Sequence, residues 1–233
     1  MNNTATDKDK GSALTGSRKG FTLLESIIAS GIFAMVSLIT LTSFTSMSTQ
    51  MALHTNVSYQ QTFGNVQLNK IVAELSETKM SGVCVSYINN TDIPADLRFA
   101  LSFPTARDAD GKFSTSESSP IPVWQGVVLY YSDLAWKAPL SSMPDTYCLY
   151  KTTVYGTFTY PLSVAAVSAT ELTLSNGDVI DKGAFTAVLN DVLMFRPTVG
   201  NPNAIDLRLN ARAADLGKKS ANIDYHVEVT SRN

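Results

Sequence analysis

Between Glu25 and Lys70 the chain carries no Asp, Glu, Lys or Arg, and no proline stands before Pro94. An uncharged stretch of that length without a helix breaker has few ways to fold, and a long helix is the simplest. From Phe21 to Phe44 the stretch is strongly apolar. Roughly 24 residues of helix span about 35 Å, enough to cross a hydrocarbon core of about 30 Å. Arg18 and Lys19 flank it on the N-terminal side, and no basic residue follows until Lys70. The distribution of positive charge therefore predicts a single-pass membrane protein with residues 1–20 in the cytoplasm and the bulk exported. Residues 1–20 are polar and precede the apolar run, the reverse of a secretory signal's usual order of apolar block and then cut.

Composition removes several function classes. Of 233 residues, 44% are hydrophobic and 16% charged, which excludes a disordered chain. Eighteen basic residues face twenty acidic ones, so no nucleic-acid partner is inferred from bulk charge. Two cysteines and two histidines cannot build a zinc ribbon or an iron–sulfur site. No nucleophile elbow, phosphate-binding loop or zinc-protease string occurs, so no enzyme activity, cofactor or catalytic residue is expected.

One acid, Glu25, lies inside the apolar run. A carboxylate in a membrane helix needs a partner or an escape to the interface. It could reach the cytoplasmic headgroups, being close to the helix start, or it could pair with a cation on a neighbouring chain. The string Lys19-Gly20-Phe21-Thr22-Leu23-Leu24-Glu25 resembles the cleavage and methylation motif of type IV prepilins and type II secretion pseudopilins. The resemblance implies that a membrane-embedded prepilin peptidase cuts between Gly20 and Phe21 and methylates the Phe21 amine. It also implies that Glu25 serves assembly by pairing with the Phe21 amine of an adjacent subunit. Thr42 stands where major pilins often carry a helix-kinking proline. Gly31, with Ser30 and Ser37, offers small surfaces for close helix approach.

Past the membrane the helix is expected to continue to about Lys79. Leu53, Val57, Gly64, Leu68, Ile71 and Leu75 form one apolar stripe, with Asn56, Gln60, Gln67, Lys70, Glu74 and Glu77 on the opposite face. Ser81-Gly82 supplies a stop. After Gly82 the period changes, and eight segments read as strands: Val83–Ile88, Leu97–Phe103, Gly126–Ser132, Thr146–Val154, Leu172–Leu174, Phe185–Phe195, Ile205–Ala213 and Ile223–Val229. Turn clusters including Asn201-Pro202 separate them, and Asn176-Gly177 predicts a tight primed hairpin turn. The fold class expected is α+β and pilin-like: one long N-terminal helix packed on an antiparallel β-sheet domain. The parts are a leader at 1–20, a membrane or filament-core half-helix at 21–44, an amphipathic half-helix at 45–81 and a β-rich domain at 82–233. The layout, with the helix end at Ile71–Leu75, the Ala184–Val199 segment and a closing Arg232-Asn233, resembles W-type minor pilins and J-type pseudopilins.

Cys84 and Cys148 both fall in the exported part, where disulfides persist. A Cys84–Cys148 bridge is expected, pinning the helix end to the sheet, with two buried thiols as the alternative. Asp108, Asp110 and Glu117 imitate part of a calcium loop, but Ala106 sits where the first ligand belongs, so a solvated loop and no metal is the reading. Trp124, Tyr130, Tyr131 and Trp136 are read as core rather than an exposed binding patch. His54 and His226 look too isolated to act as base or ligand. The function that follows from the resemblance is a minor pilin or pseudopilin helping to initiate or cap a type IV pilus or type II secretion filament. Its partners would be other pilins or pseudopilins, the peptidase, the inner-membrane assembly platform and the lipid bilayer. An adhesin or receptor domain displayed by the same helix is the alternative, a tethered enzyme or a major pilin a weaker one.

Overall fold

The computed structural model describes residues 21–134, 147–166, 171–200, 204–213 and 221–230. Arg18, Lys19, Gly20, Trp136, the Asn201-Pro202 turn and Arg232-Asn233 lie outside the described residues. The class is α+β: one long helix, then antiparallel sheets. The chain divides into two compact units, residues 1–50 and 51–233.

A single helix, α1, runs Leu23–Ser76. In the first unit its described part is exposed on every side, including Leu24, Ile28, Phe33 and Phe44. Hydroxyls on this stretch bond backward into the helix: Ser30 Oγ donates to the Ile27 carbonyl (2.9 Å), Thr40 Oγ1 to Val36 (2.8 Å) and Thr42 Oγ1 to Ile39 (2.9 Å). These hydroxyls are thus satisfied inside their own helix, as suits a segment that meets hydrocarbon. The helix is long and apolar enough to cross a membrane.

In the second unit the helix buries Gly64, Leu68, Ile71 and Leu75, the inner part of the expected stripe. It ends a turn earlier than expected, at Ser76. Thr78 Oγ1 then donates to the Pro104 carbonyl (2.8 Å), and a 3₁₀ turn follows at Met80–Gly82. Gly82 is needed for size rather than as a left-handed stop, because a Cβ there would meet Pro104 Cγ at 2.7 Å.

The strands described are β1 (Cys84–Tyr87), β2 (Phe99–Thr105), β3 (Thr115–Ser116), β4 (Ser119–Pro122), β5 (Gly126–Leu134), β6 (Tyr147–Tyr155), β7 (Val164–Ala166), β8 (Glu171–Leu174), β9 (Val179–Asp181), β10 (Thr186–Leu189), β11 (Val192–Val199), β12 (Ala204–Ala213) and β13 (Ala221–Thr230). A five-stranded sheet has the order β1-β2-β5-β6-β10, and β11-β12-β13, β7-β8-β9 and β3-β4 form smaller sheets. One face of the five-stranded sheet joins the helix and β11–β13 in a core that includes Leu75, Phe103, Val128, Phe195 and Leu207. Its other face, with Leu129, Tyr131 and Tyr150, packs against Leu162, Leu172 and Phe185. Cover on both faces explains why β5 is buried continuously from Gly126 to Asp133 rather than alternating.

Two local expectations change. The segment Phe185–Phe195 is two strands in different sheets, broken where Asp191 adopts φ 57°, a left-handed conformation that Asp tolerates. At Asn176-Gly177 the loop is one residue longer than a primed turn: Gly177 N–H donates to Leu174 O, Leu174 N–H to Asp178 O, and Gly177 has φ 93°.

The expected disulfide is a correction. Cys84 and Cys148 are both free thiols. Cys84 lies on β1 and Cys148 on β6, with β2 and β5 between them. Three interstrand steps of about 4.8 Å put the two chains about 14 Å apart, twice what a disulfide spans. Cys148 is fully buried and donates instead to Asn190 Oδ1 (3.2 Å), and burial pushes its thiol up. Alkylation of the folded chain should therefore modify Cys84 alone, Cys148 reacting only after unfolding. A Cys84–Cys148 linked peptide in non-reducing mass mapping would contradict this arrangement.

Candidate functional site

The helix begins with a local circuit. Thr22 precedes the first helical residue, and Glu25 sits three positions on. Glu25 N–H donates to Thr22 Oγ1 (3.3 Å), while Glu25 Oε2 accepts both Thr22 N–H (2.8 Å) and Thr22 Oγ1 (2.9 Å). This reciprocal pairing is a capping box, which satisfies two backbone donors that a helix start otherwise leaves open. The carboxylate also lies at the positive end of the helix dipole. Glu25 is therefore fixed by its own chain, a role beyond the two considered from sequence. The signal was present as Thr22-x-x-Glu25 ahead of an apolar run.

Only Oε2 is used. Oε1 has no partner among the described residues, so the carboxylate keeps an acceptor for a donor from elsewhere. Phe21, one residue before the box, is 82% exposed. Gly31 has nothing within 4 Å of where its Cβ would be, so the space beside it is open.

In the second unit a different polar group ties helix to sheet. Glu74 accepts a hydrogen bond from Tyr130 Oη at its Oε2 (2.8 Å), and Lys151 Nζ pairs with its Oε1. Burial, with the Glu74 carboxylate beside it, pushes the Tyr130 phenol far above its ordinary value, so the phenol stays a donor. Lower down, Arg107 forks onto Glu77 through Nε (2.8 Å) and Nη2 (2.5 Å) and also donates to the Gly111 carbonyl (2.8 Å). These two carboxylates were read only as the wet face of the helix.

The remaining sequence candidates separate. Asp108 Oδ1 is occupied by the N–H groups of Asp110 (3.0 Å) and Lys112 (2.8 Å), which makes it the organiser of its own turn. Tyr130 and Tyr131 are buried, Trp124 half-buried. His54 is exposed on the helix. His226 is not isolated: its Nε2 lies 2.6 Å from Asp206 Oδ1, twenty residues away in sequence and on the adjoining strand.

The chain matches no protein-family model, no curated protein and no solved structure.

Proposed function

We propose that the chain is a subunit of a membrane-derived filament, a minor pilin or pseudopilin of the type IV pilus or type II secretion kind. The observation that carries this is the half-used carboxylate of Glu25 at the first turn of an apolar helix. Under this reading the peptidase removes residues 1–20 and methylates the Phe21 amine. The subunit then waits in the inner membrane with its β-rich domain outside. Assembly moves the helix from lipid into a core of neighbouring helices. Apolar burial changes little, because both surroundings are apolar, so packing and polar pairing decide the outcome. Glu25 Oε1 then receives the Phe21 ammonium of an adjacent subunit, while the capping box holds Oε2. A β-rich domain with sheets on both sides of a central one is bulky for a shaft repeat, which favours an initiating or capping position.

Filament composition tests the placement. Quantitative mass spectrometry of filaments purified from the native host should find this chain far below the major subunit. Equal stoichiometry along the shaft would make it a structural repeat instead.

A further inference from the structure

The outward face of β11–β12–β13 carries a row of basic side chains. Register sets Arg196 opposite Arg208, and Arg208 opposite His226. Three basic side chains thus stand side by side across three strands. Arg196 and Arg208 are like charges placed directly opposite, which repel and weaken a sheet, so the pair needs a counter-charge. One carboxylate serves it from within the protein. Asp206 lies 3.2 Å from Arg208 Nε through Oδ2, and 2.6 Å from His226 Nε2 through Oδ1. Both oxygens are therefore spent on Arg208 and His226. Arg196 has no partner among the described residues, and neither do the terminal amines of Arg208.

The Arg196 guanidinium and the open edge of the Arg208 guanidinium line one concavity of about 300 Å³, together with Met194, Thr198 and Asp206. The Thr198 hydroxyl donates to the Asp206 carbonyl (3.3 Å), which ties the two strands together beneath the site. Asp206 holds Arg208 by Nε alone, which fixes the side chain and leaves the outer edge of its fork open. Two planar forks side by side match the oxygens of a carboxylate or phosphate, the groups that guanidinium pairs bind most specifically. The volume admits one such group and its nearest substituents.

We propose that Arg196 and Arg208 form a binding site for a single oxyanion, a phosphate or carboxylate group, with Asp206 as the residue that positions Arg208. Its residues lie on β11 and β12 and include none of those assigned to processing or assembly.

The test is calorimetric titration of the full chain, in micelles of an uncharged detergent, with inorganic phosphate and separately with acetate, at constant ionic strength set by chloride. Saturable binding of one equivalent is expected from at least one of the two. Phosphate binding alone identifies a phosphate source, acetate binding alone a carboxylate source. Arg196→Ala and Arg208→Ala should each weaken that binding by about tenfold or more. Arg212→Ala, on the same strand but outside the concavity, should leave it unchanged, and circular dichroism should show all three variants folded. No saturable binding of either anion, or equal binding by wild type and Arg196→Ala, would overturn the proposal.

Discussion

Glu25→Gln should leave the helix start and leader cleavage intact and yet lower the filament content of this subunit by about tenfold or more. Glutamine keeps the size of the side chain and can still accept from Thr22, so the capping box survives. Under the proposed processing the bond cleaved is Gly20–Phe21, and the substitution lies beyond it. What disappears is the charge. In a core of packed apolar helices, the Phe21 ammonium of a neighbour would then be buried without a counter-ion. Thr22→Val is the complementary change, since it removes the reciprocal hydrogen bond to Glu25 N–H and keeps the carboxylate. It should fray the first turn and leave filament content much closer to wild type. Cleavage, membrane level and filament content are scored separately by immunoblot. Normal incorporation of Glu25→Gln with poor incorporation of Thr22→Val would mean that the acid serves only to cap its helix.

A second large effect is expected where the helix meets the five-stranded sheet. Glu74→Leu strands two groups at once: Lys151 loses its ion pair and Tyr130 Oη its acceptor. The Lys151 and Glu74 side chains are about a quarter exposed (27% and 26%), so solvent softens the loss. A cost of about 2–3 kcal/mol is expected, below the range for a fully buried pair broken on one side. Adding Lys151→Met removes the stranded cation and should recover about 1–2 kcal/mol. The measurement is urea unfolding of the full chain in uncharged detergent, compared by midpoint at equal slope. A double variant as unstable as the sum of its parts would show that the pair is not coupled.

The features legible from sequence are those written at short range. Gly64, Leu68, Ile71 and Leu75 share one helix face by period alone, and all four are buried. Ile205-Asp-Leu-Arg-Leu-Asn-Ala211 alternates strictly, which predicts one wet face, and Ile205, Leu207 and Leu209 are buried while Arg208 is exposed. What failed depends on strand order. Nothing local says that β2 and β5 come between Cys84 and Cys148, so the bridge expected from a count of two is excluded by topology and the alternative of two thiols stands. His226 looked solitary for the same reason, its partner Asp206 being brought near only by the pairing of β12 with β13. Asp191 shows a further limit. One left-handed residue divides the run into strands of two sheets, and the signal passed over is Asn190-Asp191, two poor strand formers in its middle.

The candidate site was legible in a different sense. An acid near the start of an apolar helix is visible at once, but three roles share that pattern: headgroup contact, helix capping and pairing with a neighbour. The geometry adds the capping box and shows that it consumes one carboxylate oxygen. Under the proposed function the other oxygen meets the amine of a processed neighbour.

That dependence makes one measurement decisive. Intact mass and N-terminal fragmentation of the protein isolated from its native host should give a chain lacking residues 1–20 and starting at methylated Phe21. In the Gly20→Ala variant the full precursor should remain. A mature chain that keeps Gly20, or begins at any residue other than Phe21, would remove the amine that Glu25 is proposed to meet and contradict the account.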